Sequence, residues 1–483
     1  MGFVSISSAP HHHNHSLLLC STGFRPHAHQ ATMLSQFGAL TVAQETQFGE
    51  LPWDFVALVF LRLPVDARLR AREVSRGWRA LLNEPRFWTV LDFSPGSGVV
   101  ARLTRALLFA AGERGRRHLH TLDVTGAKYL PAEPLVQFAA VHGQSLRSVT
   151  APEWPPLSAN YVTHLCRSAP LCTLRCRVEC TFAEAVPLLR CEAPCALLHV
   201  VRLLVHGFCN NRQEVRDFAA ALPSHSGKIK VLDVSSDDVT NDALQNGAVA
   251  DALVRGIAEA GVSDVSFSFC RFTPASLPRL ARLLNAGCMH SFGISDNGDW
   301  QPVFEAGPEL TTFCHALRSS TLQKLVLAEV ELWQDLAASG ELLAALVNHP
   351  TLKELSLPDF VGATDDTRRA AGKQLAPFVT HSSALQKLDL TWNQIGEAGL
   401  APIFEALHFS STLKELIVDH EDISHEFARD VILPAVRANT SLRRLNFRYD
   451  DEYYDEKLLP ELVEAHIIVA ARTQPDDGAT DAA

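Results

Sequence analysis

Residues 385–399 read LQKLDLTWNQIGEAG, and the reading of this stretch decides the fold. Leu385, Leu388 and Leu390 make a Leu-x-x-Leu-x-Leu phrase, Asn393 follows three residues later, and Ile395-Gly396 leads into an apolar-periodic run. Side chains alternate across a strand, so Leu388 and Leu390 point to one face while Lys387, Asp389 and Thr391 point to the other. A short strand, a bend at Asn393 and a returning helix are predicted.

The phrase recurs along the chain. Clear copies are Leu322-Leu325-Leu327, Leu352-Leu355-Leu357, Leu413-Leu416-Val418 and Leu442-Leu445-Phe447, with Leu119-Leu122-Val124, Ile229-Leu232-Val234 and Val262-Val265-Phe267 upstream. Leu146-Val149, Leu171-Leu174, Leu198-Val201 and Met289-Phe292-Ile294 are weaker members. The spacing between residues 119 and 442 averages about 29 residues, at the long end of leucine-rich-repeat periods. One such unit cannot bury its apolar face alone, so the copies must stack, with strands pairing in parallel and the connecting segments returning as helices. Apolar faces predict those helices over 251–260, 277–285, 341–348, 368–380, 397–408 and 427–439.

The 385–399 stretch resembles the ribonuclease-inhibitor-like class of leucine-rich repeat. The resemblance places Asn393 where a buried side chain bonds backbone at the bend, with Cys270 and Asn297 in the equivalent place; Val330, Phe360 and Glu421 depart from that pattern. The expected fold class is α/β: a curved leucine-rich-repeat solenoid over 119–450, parallel strands inside and helices outside, least regular between 127 and 225.

Ahead of the repeats stands a segment of different character. Pro52 sits at the start of a helical pattern, where its missing N–H costs nothing. Val56, Leu58, Val59, Phe60 and Leu63 supply an apolar face, Pro64 ends the run, and 65–75 (VDARLRAREVS) reads as a second helix with Leu69 and Val74 inward. A third helix is expected over 77–83, with Pro85, Phe87 and Trp88 closing the unit. Leu51-Pro52, Leu63-Pro64, Val74-Ser75-Arg76-Gly77-Trp78-Arg79 and Phe87-Trp88, in this order and spacing, resemble the F-box family. The resemblance implies docking on a Skp-type adaptor and, through it, on a cullin, with Leu51, Pro52, Val56, Leu63, Pro64, Val65, Leu69 and Trp78 as adaptor-binding candidates. Arg62, Arg68, Arg70 and Arg72 make this version basic.

Composition bounds the rest. The chain has 483 residues, 47% hydrophobic and 20% charged, with a formal charge of -11. That balance argues for a globular or repeat protein and against a general nucleic-acid binder. No apolar run reaches the length of a membrane span. No Gly-rich phosphate loop, His-Glu-x-x-His or Gly-x-Ser-x-Gly is present, so an enzyme is not expected. Eleven cysteines without a signal peptide fit reduced thiols in the cytoplasm or nucleus. Six of them, Cys166, Cys172, Cys176, Cys180, Cys191 and Cys195, cluster in spacings that suit buried core thiols better than a zinc site. No metal or cofactor is expected.

The expected layout is a disordered tail over 1–46 rich in histidine (His11, His12, His13, His15, His27, His29), an F-box over 47–92 and a linker or capping helix over 93–118. The solenoid then runs over 119–450, and an acidic cap and tail over 451–483 includes DDEYYDE at 450–456. Arg114, Arg116, Arg117 and His118 border the first repeat. On the outward strand positions, Lys324, Lys387, Trp392, Arg444 and Arg448 are the candidates for binding a target protein of unknown identity, since aromatics and arginine dominate protein interfaces. Two other readings compete with a ligase substrate receptor. One is a stand-alone repeat scaffold or inhibitor whose first helices merely cap the solenoid. The other is a ligand sensor, which would need basic residues converging over several adjacent strands.

Overall fold

Parallel strands form where the leucine phrases require them. The computed structural model describes residues 52–97, 103–127, 131–151, 156–169, 171, 173–190, 202–205, 212–226, 229–235, 247–295, 303–359, 364–419, 423–447 and 460–472. The histidine-rich segment, Leu51, Cys172, Cys191, Cys195, Asn297, Phe360, Glu421, Arg448, and residues 451–459 and 473–483 of the C-terminal cap and tail lie outside these residues. Contacts divide the chain into two compact units, Met1–Leu63 and Pro64–Ala483.

In the first unit, α1 (Trp53–Arg62) starts at Pro52, whose carbonyl accepts the N–H groups of Phe55 and Val56. It is apolar on more than one side. Val56, Ala57 and Phe60 are buried, whereas Phe55, Leu58 and Leu61 line an outer row at a spacing of three. Leu58, expected on the inner face with Val56, therefore faces out: a helix interior at 3.6 residues per turn cannot take positions 56, 58 and 60 on one side.

The second unit opens with α2 (Val65–Val74) and α3 (Arg76–Leu81), the latter capped by the Ser75 hydroxyl accepting from the Trp78 N–H at 3.1 Å. Val74, expected inward, is exposed at the end of α2. Burial is carried instead by Val65, Arg68 and Ala71. The Arg68 guanidinium donates to the Phe87 carbonyl and lies 5.6 Å from the centroid of the Trp88 ring. Burial lowers its pKa, which the Asp92 charge partly offsets. Phe87 and Trp88 are fully buried, and the indole N–H donates to the Leu82 carbonyl at 2.6 Å. A polar tip satisfied in this way lets tryptophan serve as core.

The strands are β1 (Val90–Asp92), β2 (Thr121–Asp123), β3 (Ser148–Thr150), β4 (Leu157–Ser158), β5 (Thr173–Arg175), β6 (Arg177–Cys180), β7 (Arg202–Val205) and β8 (Val231–Ser235). They continue as β9 (Asp264–Ser268), β10 (Ser291–Ser295), β11 (Lys324–Ala328), β12 (Glu354–Ser356), β13 (Lys387–Asp389), β14 (Glu415–Ile417) and β15 (Arg444–Asn446). Among the described residues they form a four-stranded parallel sheet, β1-β2-β3-β5, and an eleven-stranded one running from β4 through β6 to β15 in chain order. The ladder thus begins at Val90, directly after Trp88, rather than at the phrase starting with Leu119.

The sheets change over at Cys176. β5 pairs with β3, while β6 pairs with β4 and β7. Leu203 lies opposite Leu232 and Val205 opposite Val234, so these two are the inward pair of their repeat. Leu198 and Val201, the expected phrase, lie outside the described residues; the inward pair stands two residues later than that phrase implied, opposite Val178 and Cys180 on its other side. Helices return along the outside at Gly247–Ala260, Leu277–Leu284, Pro308–Ser319, Leu336–Leu346, Asp365–His381 and Gly396–Leu407. The last two approach closely: a Cβ at Gly372 would stand 2.0 Å from the Gly399 carbonyl oxygen, so only glycine fits.

Two polar devices repeat. At the strand's C-terminal bend, Asn393 is fully buried, donates from Nδ2 to the Leu357 carbonyl at 2.7 Å, and accepts from the Trp333 indole at 3.0 Å. Cys270 takes the same place, its thiol directed at the Val234 and Ser268 carbonyls. The residues on either side adopt positive φ in three repeats: Phe269 and Arg271, Glu329 and Glu331, Trp392 and Gln394. At the strand's entry, the third residue before the first leucine accepts that leucine's N–H. Asn439 accepts from Leu442 at 2.8 Å, Ser382 from Leu385 at 3.1 Å and His349 from Leu352 at 3.1 Å. Each buried polar group is thereby satisfied by neighbouring backbone, as a close-packed stack demands.

Candidate protein-docking sites

α1 presents an apolar surface to solvent. Trp53, Phe55, Leu58 and Leu61 are 57%, 55%, 61% and 45% exposed, and Asp54 and Arg62 flank them. Scattered exposed apolar residues are ordinary, but four large ones on ten residues of one helix mark an interaction site. Of the adaptor-binding candidates, Pro52 is exposed, Leu63, Pro64, Leu69 and Trp78 are half-buried, and Val56 and Val65 are buried. The exposed row was not singled out from the sequence. Its signal was there in the all-round apolarity of WDFVALVFLR, which one buried face cannot absorb.

The arginines around α2 are engaged rather than free. Arg70 pairs with Asp66 at 2.8 Å, Arg72 donates to Asn83 at 2.8 Å, and Arg79 donates to the Arg72 carbonyl at 3.1 Å.

On the eleven-stranded sheet, register brings the target-binding candidates together. Lys324, Glu354, Lys387, Glu415 and Arg444 are successive partners across β11 to β15. Distant in sequence, they form one row, and the row alternates in sign. Lys324 pairs with Glu354 at 3.3 Å, and Glu415 lies 3.5 Å from Lys387 and 3.4 Å from Arg444. Exposed pairs of this kind are worth roughly 0–1 kcal/mol each. Their effect on recognition is to offset two of the row's three positive charges. Asp389, also outward, closes the strand end by accepting from the Thr391 N–H at 3.1 Å and hydroxyl at 2.6 Å, as Asp123 does with Thr125.

Trp392 stands 57% exposed at the C-terminal edge of the sheet, held there by its positive φ. Phe269, at the equivalent bend position, is 51% exposed. The sequence pattern named Trp392 alone; aligning the bends on Cys270 and Asn393 exposes Phe269 as its counterpart.

Over β8 to β12 lies a depression of about 500 Å³. Its floor is built from small residues, Ser266, Ser291, Gly293 and Ser295, between Asp233 and Asp264 on one side and Lys324 and Lys353 on the other. At the N-terminal edge of the strands a second groove, of about 410 Å³, is lined by Lys353, Lys414, Gln323 and Gln386 with the loop hydroxyls of Thr351, Ser383, Ser411 and Thr412.

Cys166, Cys176 and Cys180 are buried, and burial pushes the Cys176 and Cys180 thiols up to about 12, far from the thiolate form that chemistry or metal binding needs. Among the described residues no group of three or more histidine, cysteine, aspartate or glutamate side chains converges as a metal site, and no helix is long and apolar enough to cross a membrane.

Residues 48–90 match the F-box domain family. No curated protein matches the chain. Among solved structures, the leucine-rich repeat-containing protein LegL7 from Legionella pneumophila is 11% identical over 80% of this chain and 98% of its own, with a TM-score of 0.34. The leiomodin-1 actin-binding site 2 is 20% identical over 28% of this chain and 70% of its own, with a TM-score of 0.22. The chain thus carries a segment similar to the F-box domain, followed by stacked parallel strands of the leucine-rich-repeat kind.

Proposed function

We propose that this chain is the substrate-recognition subunit of a cullin-type ubiquitin ligase: α1 docks on a Skp-type adaptor, and the eleven-stranded sheet holds a target protein. The observation that carries this reading is the solvent-facing row Phe55, Leu58 and Leu61 with Trp53, within a segment that matches the F-box domain. Apolar area of that kind is stabilised only by covering it, and an adaptor supplies the cover. The alternative, a stand-alone scaffold whose first helices cap the solenoid, gains support from α2 packing on the helix Arg105–Gly115. It leaves the exposed row of α1 without a purpose. The chain contributes binding and positioning; ubiquitin transfer belongs to other subunits.

The test is capture of the full chain by purified Skp-type adaptor, beside a Phe55→Ala/Leu58→Ala/Leu61→Ala variant whose fold is verified by circular dichroism. Adaptor retained by the native chain and lost by the folded variant is the expected result. A native chain that retains no adaptor overturns the ligase reading.

A further inference from the structure

The row next to the alternating one behaves differently. Gln323, Lys353, Gln386, Lys414 and Arg443 precede Lys324, Glu354, Lys387, Glu415 and Arg444 by one residue each. Backbone bonds join them in the same order: the amides of Lys353, Gln386, Lys414 and Arg443 each donate to the carbonyl of the residue before in this row, at 2.7–2.8 Å. Their side chains therefore emerge at the strand spacing, about 4.8 Å apart.

This row carries uncompensated charge. Lys353 and Lys414 each reach the carboxamide oxygen of the neighbouring glutamine, at 3.2 Å in both cases, and Arg443 donates to the Thr440 carbonyl at 3.0 Å. Among the described residues none of the three meets a carboxylate, while Glu354 and Glu415 are taken up by Lys324, Lys387 and Arg444. All three cations are exposed. The 410 Å³ groove beside them is lined by both ammonium groups, two carboxamides and four hydroxyls, with no acid. A site so composed favours an anionic occupant, and its location along the strand edge favours one that lies across several strands.

We propose that this edge groove binds an acidic segment of the target protein, an extended peptide whose anionic side chains recur every third residue. Lys353 and Lys414 lie two strands apart, about 9.6 Å. A polyproline II chain rises about 3.1 Å per residue and repeats every three, placing residues i and i+3 on one side about 9.3 Å apart. Arg443, one strand further, adds positive charge beside the end of the groove. The same geometry accepts a carboxylate or a phosphate ester, since both offer charged oxygens to ammonium and guanidinium donors.

This inference rests on the repeats being the target-binding half of the protein, and its test is separable from adaptor docking. Fluorescent peptides of Pro-Pro-Glu repeats, Pro-Pro-phosphoserine repeats and Pro-Pro-Lys repeats are titrated with the full chain, and adaptor capture is measured on the same preparations. The glutamate and phosphoserine peptides are expected to bind and the lysine peptide not. Lys353→Glu/Lys414→Glu should weaken binding at least about tenfold, since each reversal replaces an attraction by a repulsion. Arg318→Glu/Arg369→Glu, the same charge change on the outer helices, should leave it within about twofold. Tighter binding of the phosphoserine peptide would identify phosphate as the preferred anion; equal binding would make a carboxylate sufficient, and both support the groove. Absence of binding to either anionic peptide, or equal loss in the two double variants, overturns the inference even where adaptor capture is intact.

Discussion

Leu58→Ala and Val56→Ala, two residues apart on one helix, should fail in different ways. Leu58 is 61% exposed, Val56 2%. Full burial of a leucine side chain is worth about 1.5–3 kcal/mol, so covering the exposed part of Leu58 in a complex is worth roughly 1–2 kcal/mol. Truncation to alanine should then weaken adaptor binding by about 5- to 25-fold. It should shift folding stability by no more than about 0.5 kcal/mol, as expected for a surface position. Val56→Ala removes two buried methyl groups and leaves a small cavity, costing roughly 1.5–3 kcal/mol of stability. Its direct effect on the interface should be small, because so little of the side chain reaches solvent. The measurements are adaptor affinity by calorimetry and urea unfolding followed by circular dichroism, on both variants. Native affinity in Leu58→Ala together with lost affinity in a fully stable Val56→Ala would refute the assignment of the docking face to the outer row.

Three further outcomes follow from the repeats. Asn393→Ala strands the Trp333 indole and the Leu357 carbonyl in the core and should lower stability by about 2–5 kcal/mol, read as a fall in the urea midpoint; Trp333→Phe in that background should cost less than it does alone. His349 is bonded as a neutral ring: Nε2 faces the Leu317 carbonyl at 2.9 Å and Nδ1 accepts from the Leu352 N–H, and burial holds its pKa below the ordinary value. The unfolded chain takes up this proton below about pH 6.5 and the native one only lower down, so stability is complete above that pH and declines as pH falls. His349→Gln should flatten that decline between about pH 7 and about pH 5, and an unchanged slope would count against the assignment. The Cys176 and Cys180 thiols, pushed up to about 12, should resist iodoacetamide in the folded protein and react in urea; alkylation at the same rate in both would show that the strands carrying them open readily.

Much of this protein was legible from the chain alone, for a physical reason. Leucine at fixed spacing admits one way of burying every copy, so Leu325, Leu355, Leu388, Leu416 and Leu445 fall into register as their phrases predict. The bend at Asn393 and the helices that follow were equally plain, because they are local. The F-box segment was readable because its proline pairs and its tryptophans stand at fixed intervals, and the family match covers the same residues.

What the sequence could not decide depends on which distant residues become neighbours. Lys324, Lys387 and Arg444 read as scattered cations; register makes them alternate with Glu354 and Glu415, which offset two of their three charges. The same register leaves Lys353, Lys414 and Arg443 together on an edge that no local pattern singles out. Likewise, the changeover at Cys176 displaces the next repeat by two residues, a shift that only strand pairing reveals. On α1, composition announced an apolar helix, but the division into a buried side at Val56 and Phe60 and an outer row at Phe55, Leu58 and Leu61 came from the packing. Local pattern determines which elements form; the charge and the exposed area that a partner meets are sums over neighbours, and neighbours are assigned by the tertiary structure.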